Sequence, residues 1–138
     1  AVVMCAAVAD VQRTSTNGVK KLPKERLIAS MQDGWQLVPD LLQGLVSRRP
    51  AGQSLLGFAA LAGPDEQLLE LGRSKLHAKG CDLLMVNPID RPGQGLDSSL
   101  NAGWLLGPGD RHQQCPLEDK LVLSHRLLDR LLENKQSS

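Results

Sequence analysis

The chain has 138 residues, 41% of them hydrophobic, which is enough for one packed core, and we expect a single domain over residues 1–138. The formal net charge is +1 and the aromatic residues are one Phe and two Trp, so a nucleic-acid partner, which needs a basic surface or a stacking platform, is excluded. No apolar run approaches the length that crosses a bilayer, so no membrane contact is expected.

The beginning of the chain is predicted to be a buried strand followed by a polar loop. Residues 2–9 form a continuous apolar run that ends at Asp10, which is typical of a strand buried on both faces of a parallel sheet. Residues 12–18 are polar, which predicts a mobile loop, and a charged cluster follows at residues 20–26. No Met precedes the first apolar run, so we expect the sheet to be incomplete at its N-terminal side.

The middle of the chain repeats a strand–helix–strand pattern. Short apolar runs predict strands, and longer segments with leucines at helical spacing predict helices. The predicted elements are short strands near residues 27–28 and 35–38, a helix from Pro39 to about Arg49, a strand at 54–60, a helix at 65–79 and a strand at 81–86. Strands that are joined by helices in this way pair in parallel.

The end of the chain predicts a loop, an edge hairpin and a closing helix. Residues 87–99 are rich in Pro, Gly, Asp and Ser, which is typical of a loop. Residues 104–106 and 113–115 flank a turn signal at 107–110, which predicts a hairpin at the edge of the sheet. Five leucines are expected on the inward face of the closing helix, namely Leu117, Leu121, Leu128, Leu131 and Leu132. The whole pattern predicts an α/β fold with a Rossmann-like three-layer parallel sheet and an edge hairpin.

The carboxyl ends of the parallel strands are the expected ligand site, because open α/β sheets bind ligands beyond these ends. They fall at Asp10, at residues 58–60 and at Asn87. Asp10 can either cap a loop or hold Mg²⁺ or a nucleotide hydroxyl. Phe58 can be a core residue, or it can pack on a base or ribose beside the small residues that surround it.

Several short motifs occur in order along nearly the whole chain, at residues 6–10 (AAVAD), 21–24 (KxxK), 38–42, 57–60 (GFAA) and 75–87, with Asn101 before an edge strand. Together they resemble the C-terminal half of the ligase domain of the phosphopantothenate–cysteine ligase family, which belongs to the DNA/pantothenate metabolism flavoproteins. In that family the segments at 38–42 and 75–87 read NPDIL and KLxxKxxDLIVAN. No one motif is specific, but their order and spacing make chance agreement improbable.

The resemblance implies a C–N ligase of coenzyme A biosynthesis, which condenses 4′-phosphopantothenate with cysteine through an acyl-cytidylate. It implies CTP as the co-substrate and Mg²⁺ as the metal ion. Whether ATP replaces CTP stays open. The resemblance also implies a homodimer, an upstream half that supplies a Gly-rich nucleotide loop, and in several members a fused flavin-dependent decarboxylase. We therefore expect this chain to be inactive as a ligase when alone. The implied site consists of Lys21 as the catalytic residue, Asp10 as the Mg²⁺ ligand, and nucleotide contacts at Met4, Cys5, Ala6, Asp10, Pro39, Asp40, Leu41, Leu42, Phe58, Lys75 and Lys79.

Two groups of lysines have a structural and a functional interpretation. Lys20, Lys21 and Lys24 can form a solvated loop, or one of them can be a lid that closes on the triphosphate as charge builds at the α-phosphate. We choose Lys21 for that role, with Lys20 as the alternative. Lys75 and Lys79 are four residues apart and share one helix face, which can face solvent or a polyphosphate.

The segment Pro39-Asp40-Leu41-Leu42 has the same two interpretations. Pro followed by Asp starts a helix in many proteins. The same geometry directs free backbone N–H groups towards an anion, which suits a phosphate.

The three cysteines are far apart in the sequence and form no Cys-x-x-Cys pair. This spacing argues against a disulfide framework or a zinc site and favours a reducing, cytoplasmic environment. Cys5 and Cys81 lie in apolar runs, so we expect both to be core thiols.

Two other functions were weighed against the ligase. A non-catalytic nucleotide-binding or assembly module is favoured by Leu61-Ala62, which stand where the family has an acidic and a hydroxyl residue. A dinucleotide-dependent dehydrogenase is disfavoured because no Gly-x-Gly-x-x-Gly follows the first strand; Gly93-Gln94-Gly95 follows the third.

Overall fold

The computed structural model describes residues 1–6, 8–13, 35–95 and 97–136. Contacts divide the chain into two compact units, Ala1–Cys5 with Leu42–Ser138 (the first unit) and Ala6–Leu41 (the second unit). The predicted strand near residues 27–28 and the lysines of the charged cluster, Lys20, Lys21 and Lys24, lie outside the described residues.

The described strands form a five-stranded sheet and a separate two-stranded sheet. In chain order the elements are β1 (Val2–Met4), β2 (Val11–Arg13), β3 (Trp35–Leu37), α1 (Leu41–Arg48), β4 (Leu55–Leu61), α2 (Asp65–Lys79), β5 (Leu83–Pro88), β6 (Leu100–Leu106), β7 (His112–Asp119) and α3 (Lys120–Gln136). The larger sheet has the order β1-β4-β5-β6-β7. β1, β4 and β5 are parallel, whereas β6 is antiparallel to both of its neighbours. The predicted parallel strands and edge hairpin are therefore confirmed. The five-stranded sheet contains both parallel and antiparallel pairs, so it is a mixed sheet.

The first unit has three layers because successive residues of a strand point to opposite faces of the sheet. Leu55 belongs to a core cluster that also contains residues of α1 and α2, such as Leu42 and Leu68. Its neighbour Leu56 belongs to a second cluster, which contains Leu127 and other residues of α3. We call these sides of the sheet the α1–α2 face and the α3 face, and their core clusters the α1–α2 cluster and the α3 cluster. The continuous apolar run in β4 is thus explained, because helices cover the strand on both sides.

The helix predicted at residues 65–79 is α2, and its C-terminal signal acts as expected. Gly80 adopts the left-handed conformation, with φ 70° and ψ 19°, and its N–H donates to the carbonyl oxygen of Leu76. Glycine is favoured at such a helix end because it has no Cβ to clash. The chain turns here and enters β5 at Leu83.

Three expectations for the N-terminal part of the chain were wrong. The strand predicted at residues 2–9 ends at Met4, and its residues are half-buried or exposed. Cys5, which we expected to be a core thiol, is exposed because it follows the last residue that pairs with β4. In the second unit, part of the predicted loop at residues 12–18 is strand β2, which pairs antiparallel with β3.

The inward face predicted for the closing helix was wrong except at Leu131, which is buried as expected. Leu117 lies in β7 and is 53% exposed, and Leu121, Leu128 and Leu132 are 46% to 66% exposed. The residues of α3 that face the sheet are Leu123, Leu127 and Leu131, which are spaced by four and buried. The helix carries leucines on two faces, and its packing against the sheet buries only one of them. Among the described residues, no helix has both the length and the apolar character that crossing a bilayer requires.

A bidentate ion pair connects β7 to α3. The Nε and Nη2 atoms of Arg126 donate to the two carboxylate oxygens of Glu118 at 2.8 and 2.9 Å. The hydrogen bond from Arg126 lowers the pKa of Glu118 below its ordinary value, because it favours the charged carboxylate. The carboxylate of Glu118 is only 14% exposed and lies beside the α3 cluster.

Glu118→Gln is expected to lower the melting temperature at neutral pH and to have a smaller effect at about pH 3. A carboxyl whose pKa is lower in the folded state stabilises that state above its unfolded-state pKa. The contribution is lost as the pH falls through the folded-state pKa. Thermal unfolding at both pH values checks this, with Glu70→Gln on the exposed side of α2 as the control. An equal loss at both pH values would contradict an electrostatic contribution.

Candidate functional site

The start of α1 and the end of α2 meet in the first unit, at a place that we call the α1–α2 corner. It consists of Leu42, Gln43 and Val46 of α1 with residues 78–80 at the end of α2. The Nε2 atom of Gln43 donates to the carbonyl oxygen of Ala78 at 3.3 Å. The first turn of a helix has free N–H groups and a partial positive charge. The corner therefore combines a helix N-terminus with the lysine-bearing end of a second helix.

Close packing around Gly57 holds α1 against the sheet. A Cβ atom on Gly57 would lie 2.6 Å from Cδ2 of Leu42 and 3.2 Å from Cδ1 of Leu84. Leu42 is buried, so its side chain occupies the space that glycine leaves open on the α1–α2 face. The Gly57 of the GFAA-like motif thus positions the first turn of α1, a packing role that sequence reasoning did not assign to it.

Asp82 joins the end of α1 to the beginnings of two strands. Its Oδ2 atom accepts a hydrogen bond from the backbone N–H of Leu55 and another from Nη1 of Arg49, both at 2.7 Å. Sequence reasoning quoted Asp82 only as part of a motif and missed this role. The sequence signal for this role was a carboxylate directly before an apolar strand, because a carboxylate close to the core needs a hydrogen-bond or ion-pair partner.

The two lysines of the candidate site are on the last two turns of α2. Lys75 is exposed and Lys79 is half-buried. Lys79 precedes Leu83, the first residue of β5, by only four residues. The two lysines therefore lie towards the edge at which β4 and β5 begin, which we call the amino edge. Their expected position at the carboxyl ends of the strands was wrong, because α2 runs back along the sheet before β5 starts.

Phe58 is on the other face of the sheet from the α1–α2 corner. It is the fourth of seven residues in β4, and its half-buried side chain packs against the α3 cluster. The expected position of Phe58 at a strand end was therefore wrong, and the structure does not bring it together with Lys75 and Lys79. Its contact with a nucleotide stays a prediction.

The remaining candidate residues are divided between the two units. Met4 ends β1 and packs against the α1–α2 cluster. Cys5 follows it, and Ala6, Asp10 and residues 39–41 belong to the second unit. The backbone carbonyl oxygen of Asp10 accepts a hydrogen bond from the N–H of Val38 at 2.9 Å, and its carboxylate is exposed. Within the described ranges, no three His, Cys, Asp or Glu residues form a metal-binding group.

Polar contacts at the carboxyl ends of β4 and β5, the carboxyl edge, were not expected from the sequence. The carboxylate of Asp90 accepts a hydrogen bond from the N–H of Gly63 at 2.8 Å, and Arg91 forms an ion pair with Asp65 at the start of α2. The Oδ1 atom of Asn87 is buried without a hydrogen-bond partner among the described residues. An unpaired buried amide is costly, so Asn87 is a position where a bound group could add a hydrogen bond.

The buried cysteines are unsuited to nucleophilic chemistry. Burial raises the pKa of Cys81, and a weaker hydrogen bond from the backbone of Gly57 opposes this change. Burial also raises the pKa of Cys115, which lies in the α3 cluster. A raised pKa keeps a thiol protonated near neutral pH, and the thiolate is the reactive form. The expectation that Cys81 is a core thiol is confirmed.

Known proteins share both the sequence pattern and the fold. The family model described as "DNA/pantothenate metabolism flavoprotein C-terminal domain" matches residues 1–134. The coenzyme A biosynthesis bifunctional protein CoaBC of Mycobacterium tuberculosis is 31% identical over 142 residues, which cover 94% of this chain and 32% of that protein. This chain thus spans about a third of the length of the curated relatives that it matches.

Solved structures support the same assignment at the level of the fold. The DNA/pantothenate metabolism flavoprotein from Streptococcus pneumoniae has a TM-score of 0.61 and 17% identity, over 93% of this chain and 57% of that one. A Cab2 mutant in complex with phosphopantothenate-cysteine has a TM-score of 0.54 and 13% identity, over 75% of this chain and 32% of that one. With the family match over nearly all of the sequence, this chain belongs to the DNA/pantothenate metabolism flavoprotein C-terminal domain family.

Proposed function

We propose that this chain is part of a phosphopantothenate–cysteine ligase of coenzyme A biosynthesis and that the α1–α2 corner binds the triphosphate of CTP. The observation that carries this proposal is the hydrogen bond between Gln43 and Ala78, residues 35 positions apart. It joins the helix start of the NPDIL-like motif to the lysine-bearing helix of the KLxxK-like motif. The name of the Mycobacterium tuberculosis relative supports the pathway.

The corner has groups that suit a polyphosphate. The first turn of α1 supplies backbone N–H donors, and Lys79, a half-buried residue next to Ala78 in the sequence, supplies a positive charge. Lys75 lies one turn earlier on the same helix face and adds a second positive charge. Lysines act as point charges on phosphates, so the pair favours a bound triphosphate and stabilises pyrophosphate as it leaves.

The proposed reaction has two steps. A carboxylate oxygen of 4′-phosphopantothenate attacks the α-phosphorus of CTP, and the bond from that phosphorus to pyrophosphate breaks. The amine of cysteine then attacks the acyl carbon, loses a proton and displaces CMP, which leaves an amide. The bound product-like molecule of the Cab2 complex, phosphopantothenate-cysteine, supports this class of substrate.

The other implied residues are proposed on the resemblance. Lys21 closes on the triphosphate, and Asp10 offers one carboxylate to Mg²⁺, which keeps several waters and takes other ligands from phosphates. Met4, Cys5, Ala6, Phe58 and the segment at residues 39–42 contact the nucleotide. A homodimer and a fused flavin-dependent decarboxylase complete the proposed assembly.

A non-catalytic nucleotide-binding module is the second candidate. Leu61 packs against the α1–α2 cluster at the end of β4, and Ala62 is exposed beside it. The family has an acidic and a hydroxyl residue there, and neither replacement can donate, accept or carry charge. Release of pyrophosphate from CTP in the presence of 4′-phosphopantothenate distinguishes the two functions, because a binding module releases none.

Lys79→Ala in the full-length protein is expected to weaken CTP binding about tenfold or more, since a charge-assisted hydrogen bond contributes about 1.5–3 kcal/mol. Lys79→Arg keeps the charge and should recover most of the affinity. Titration calorimetry with CTP and Mg²⁺ measures both variants. Lys120→Ala is the matched control, because Lys120 is at the start of α3 and donates to the carbonyl oxygen of Gly95. Equal CTP affinity in Lys79→Ala and the wild type would contradict triphosphate binding at the corner.

A further inference from the structure

A cavity of about 400 Å³ lies on the α3 face of the sheet, beside the turn of the β6–β7 hairpin. Leu83 at the start of β5 and Leu105 near the end of β6 form its apolar floor, and both are buried. The α1–α2 corner is on the opposite face of the same sheet, so the cavity is separate from the proposed triphosphate site. Its volume is within the range of roughly 300–1,000 Å³ that is typical of small-molecule sites.

The rim of the cavity carries guanidinium groups from two different elements. Arg111 comes from the hairpin turn, and Arg130 comes from α3. The Nε atom of Arg111 donates to the carbonyl oxygen of Pro108 at 3.2 Å, which fixes the plane of the guanidinium. Nη1 of Arg130 forms an ion pair with Glu133, a third rim residue, at 2.6 Å. Two arginines against one glutamate leave a net positive charge at the rim.

Gln113 adds an uncharged polar group to the cavity. It lies opposite Leu105 in the β6–β7 pair, so its half-buried side chain points to the same α3 face. Within the part of the chain that the structure describes, the Gln113 side chain and the terminal nitrogens of Arg111 form no hydrogen bond with protein atoms. A planar guanidinium and a carboxamide N–H can both donate to one carboxylate.

We propose that this cavity binds a small organic carboxylate. The apolar body of the ligand packs on Leu83 and Leu105, and the carboxylate accepts hydrogen bonds from Arg111 and Gln113. A single negative charge balances the net charge of the rim, whereas a phosphate dianion would leave an excess negative charge beside Glu133. This proposal does not depend on the ligase function, because none of these residues belongs to the α1–α2 corner.

Benzoate is a suitable probe, and benzamide is its uncharged isostere. In the full-length protein we expect benzoate to bind with a millimolar Kd by titration calorimetry, as its size allows. It should shift the methyl NMR signals of Leu83 and Leu105. Arg111→Gln should weaken benzoate binding about tenfold, because it removes a hydrogen bond from a charged group. Arg48→Gln, an exposed arginine on α1, should bind as the wild type does.

Each contrary result overturns the proposal. Four results would do so: no benzoate binding below about 20 mM, equal binding of benzamide, unchanged binding in Arg111→Gln, or inorganic phosphate that shifts the methyl signals of Leu83 and Leu105 at a lower concentration than benzoate does. If Arg111→Gln lowers the melting temperature strongly, Arg111→Lys and Arg130→Gln replace it. Arg111→Lys keeps the charge but lacks the planar guanidinium, so it should bind benzoate more weakly than the wild type. Arg130→Gln removes the net positive charge of the rim, so it should also weaken benzoate binding. If either variant binds benzoate as the wild type does, the proposal is overturned.

Discussion

Gly103→Ala is expected to lower the free energy of unfolding by about 4 kcal/mol or more, the combined cost of a strained backbone and a forced clash. Gly103 has φ 154°, and a Cβ atom there would lie 2.0 Å from the backbone carbonyl oxygen of Val86. That oxygen is part of β5, so a side-chain rotation cannot relieve the clash. Urea unfolding followed by circular dichroism measures the loss.

The position of Gly103 explains why the effect should be global. It lies in β6 at an irregularity in the pairing with β7, between Asn101 and Gly103, and β6 also pairs with β5. Moving β6 away from β5 to admit a methyl group would break pairing in the middle of the sheet. A loss of this size is a large fraction of the roughly 5–15 kcal/mol that stabilises an ordinary domain.

Gly109→Ala is the matched control for Gly103→Ala. Gly109 also has a positive φ, 66°, but no atom lies within 4 Å of the position that its Cβ would take. Its substitution should cost only the backbone term, about 1–2 kcal/mol. If the two variants are equally stable, the close approach of β6 to β5 is not the reason for the glycine at position 103.

Lys21→Ala in the full-length protein is expected to lower kcat by about a hundredfold or more, the usual cost of removing a group that stabilises transition-state charge. This prediction rests on the proposed ligase function and on the KxxK-like motif at residues 21–24. A lid lysine acts chiefly when charge builds at the α-phosphate, so the Kd of CTP should change by less than about threefold. Steady-state turnover and titration calorimetry on the same preparation give both numbers.

Lys20→Ala decides between the two registers of the lid motif. If Lys21 is the lid, Lys20→Ala should keep kcat within about threefold of the wild type, because a neighbouring surface charge contributes little. A large loss in Lys20→Ala alone would assign the role to Lys20. Equal losses in kcat and CTP affinity for Lys21→Ala would indicate an ordinary phosphate contact, and no loss in either variant would contradict the lid.

The predicted positions of the candidate site residues contain two errors, which have different causes. The Gln43–Ala78 hydrogen bond joins the two helices that carry the motifs at residues 38–42 and 75–87. The expectation that Lys75 and Lys79 lie at the carboxyl edge ignored the direction in which α2 runs. Phe58 was assigned to a strand end because the carboxyl end of this strand was placed at residues 58–60; β4 spans Leu55–Leu61, so Phe58 lies in its middle.

The sequence by itself determined the elements of the first unit that have strong local signals. The apolar run of β4, the helix between Asp65 and Gly80, and the turn at residues 107–110 each depend on neighbours within a few positions. The order of the short motifs was likewise sufficient to indicate the family. These features are local, so no knowledge of distant contacts was required.

Only the tertiary structure decided which faces and edges these elements share. Both leucine faces of α3 fit a helix, and only its packing against the sheet shows that Leu123, Leu127 and Leu131 form the buried face. The contacts of Asp82 with Leu55 and Arg49, and the cavity beneath Arg111, join residues that are far apart in the sequence. Side-chain burial and hydrogen bonding of this kind depend on packing between elements, which local propensity does not specify.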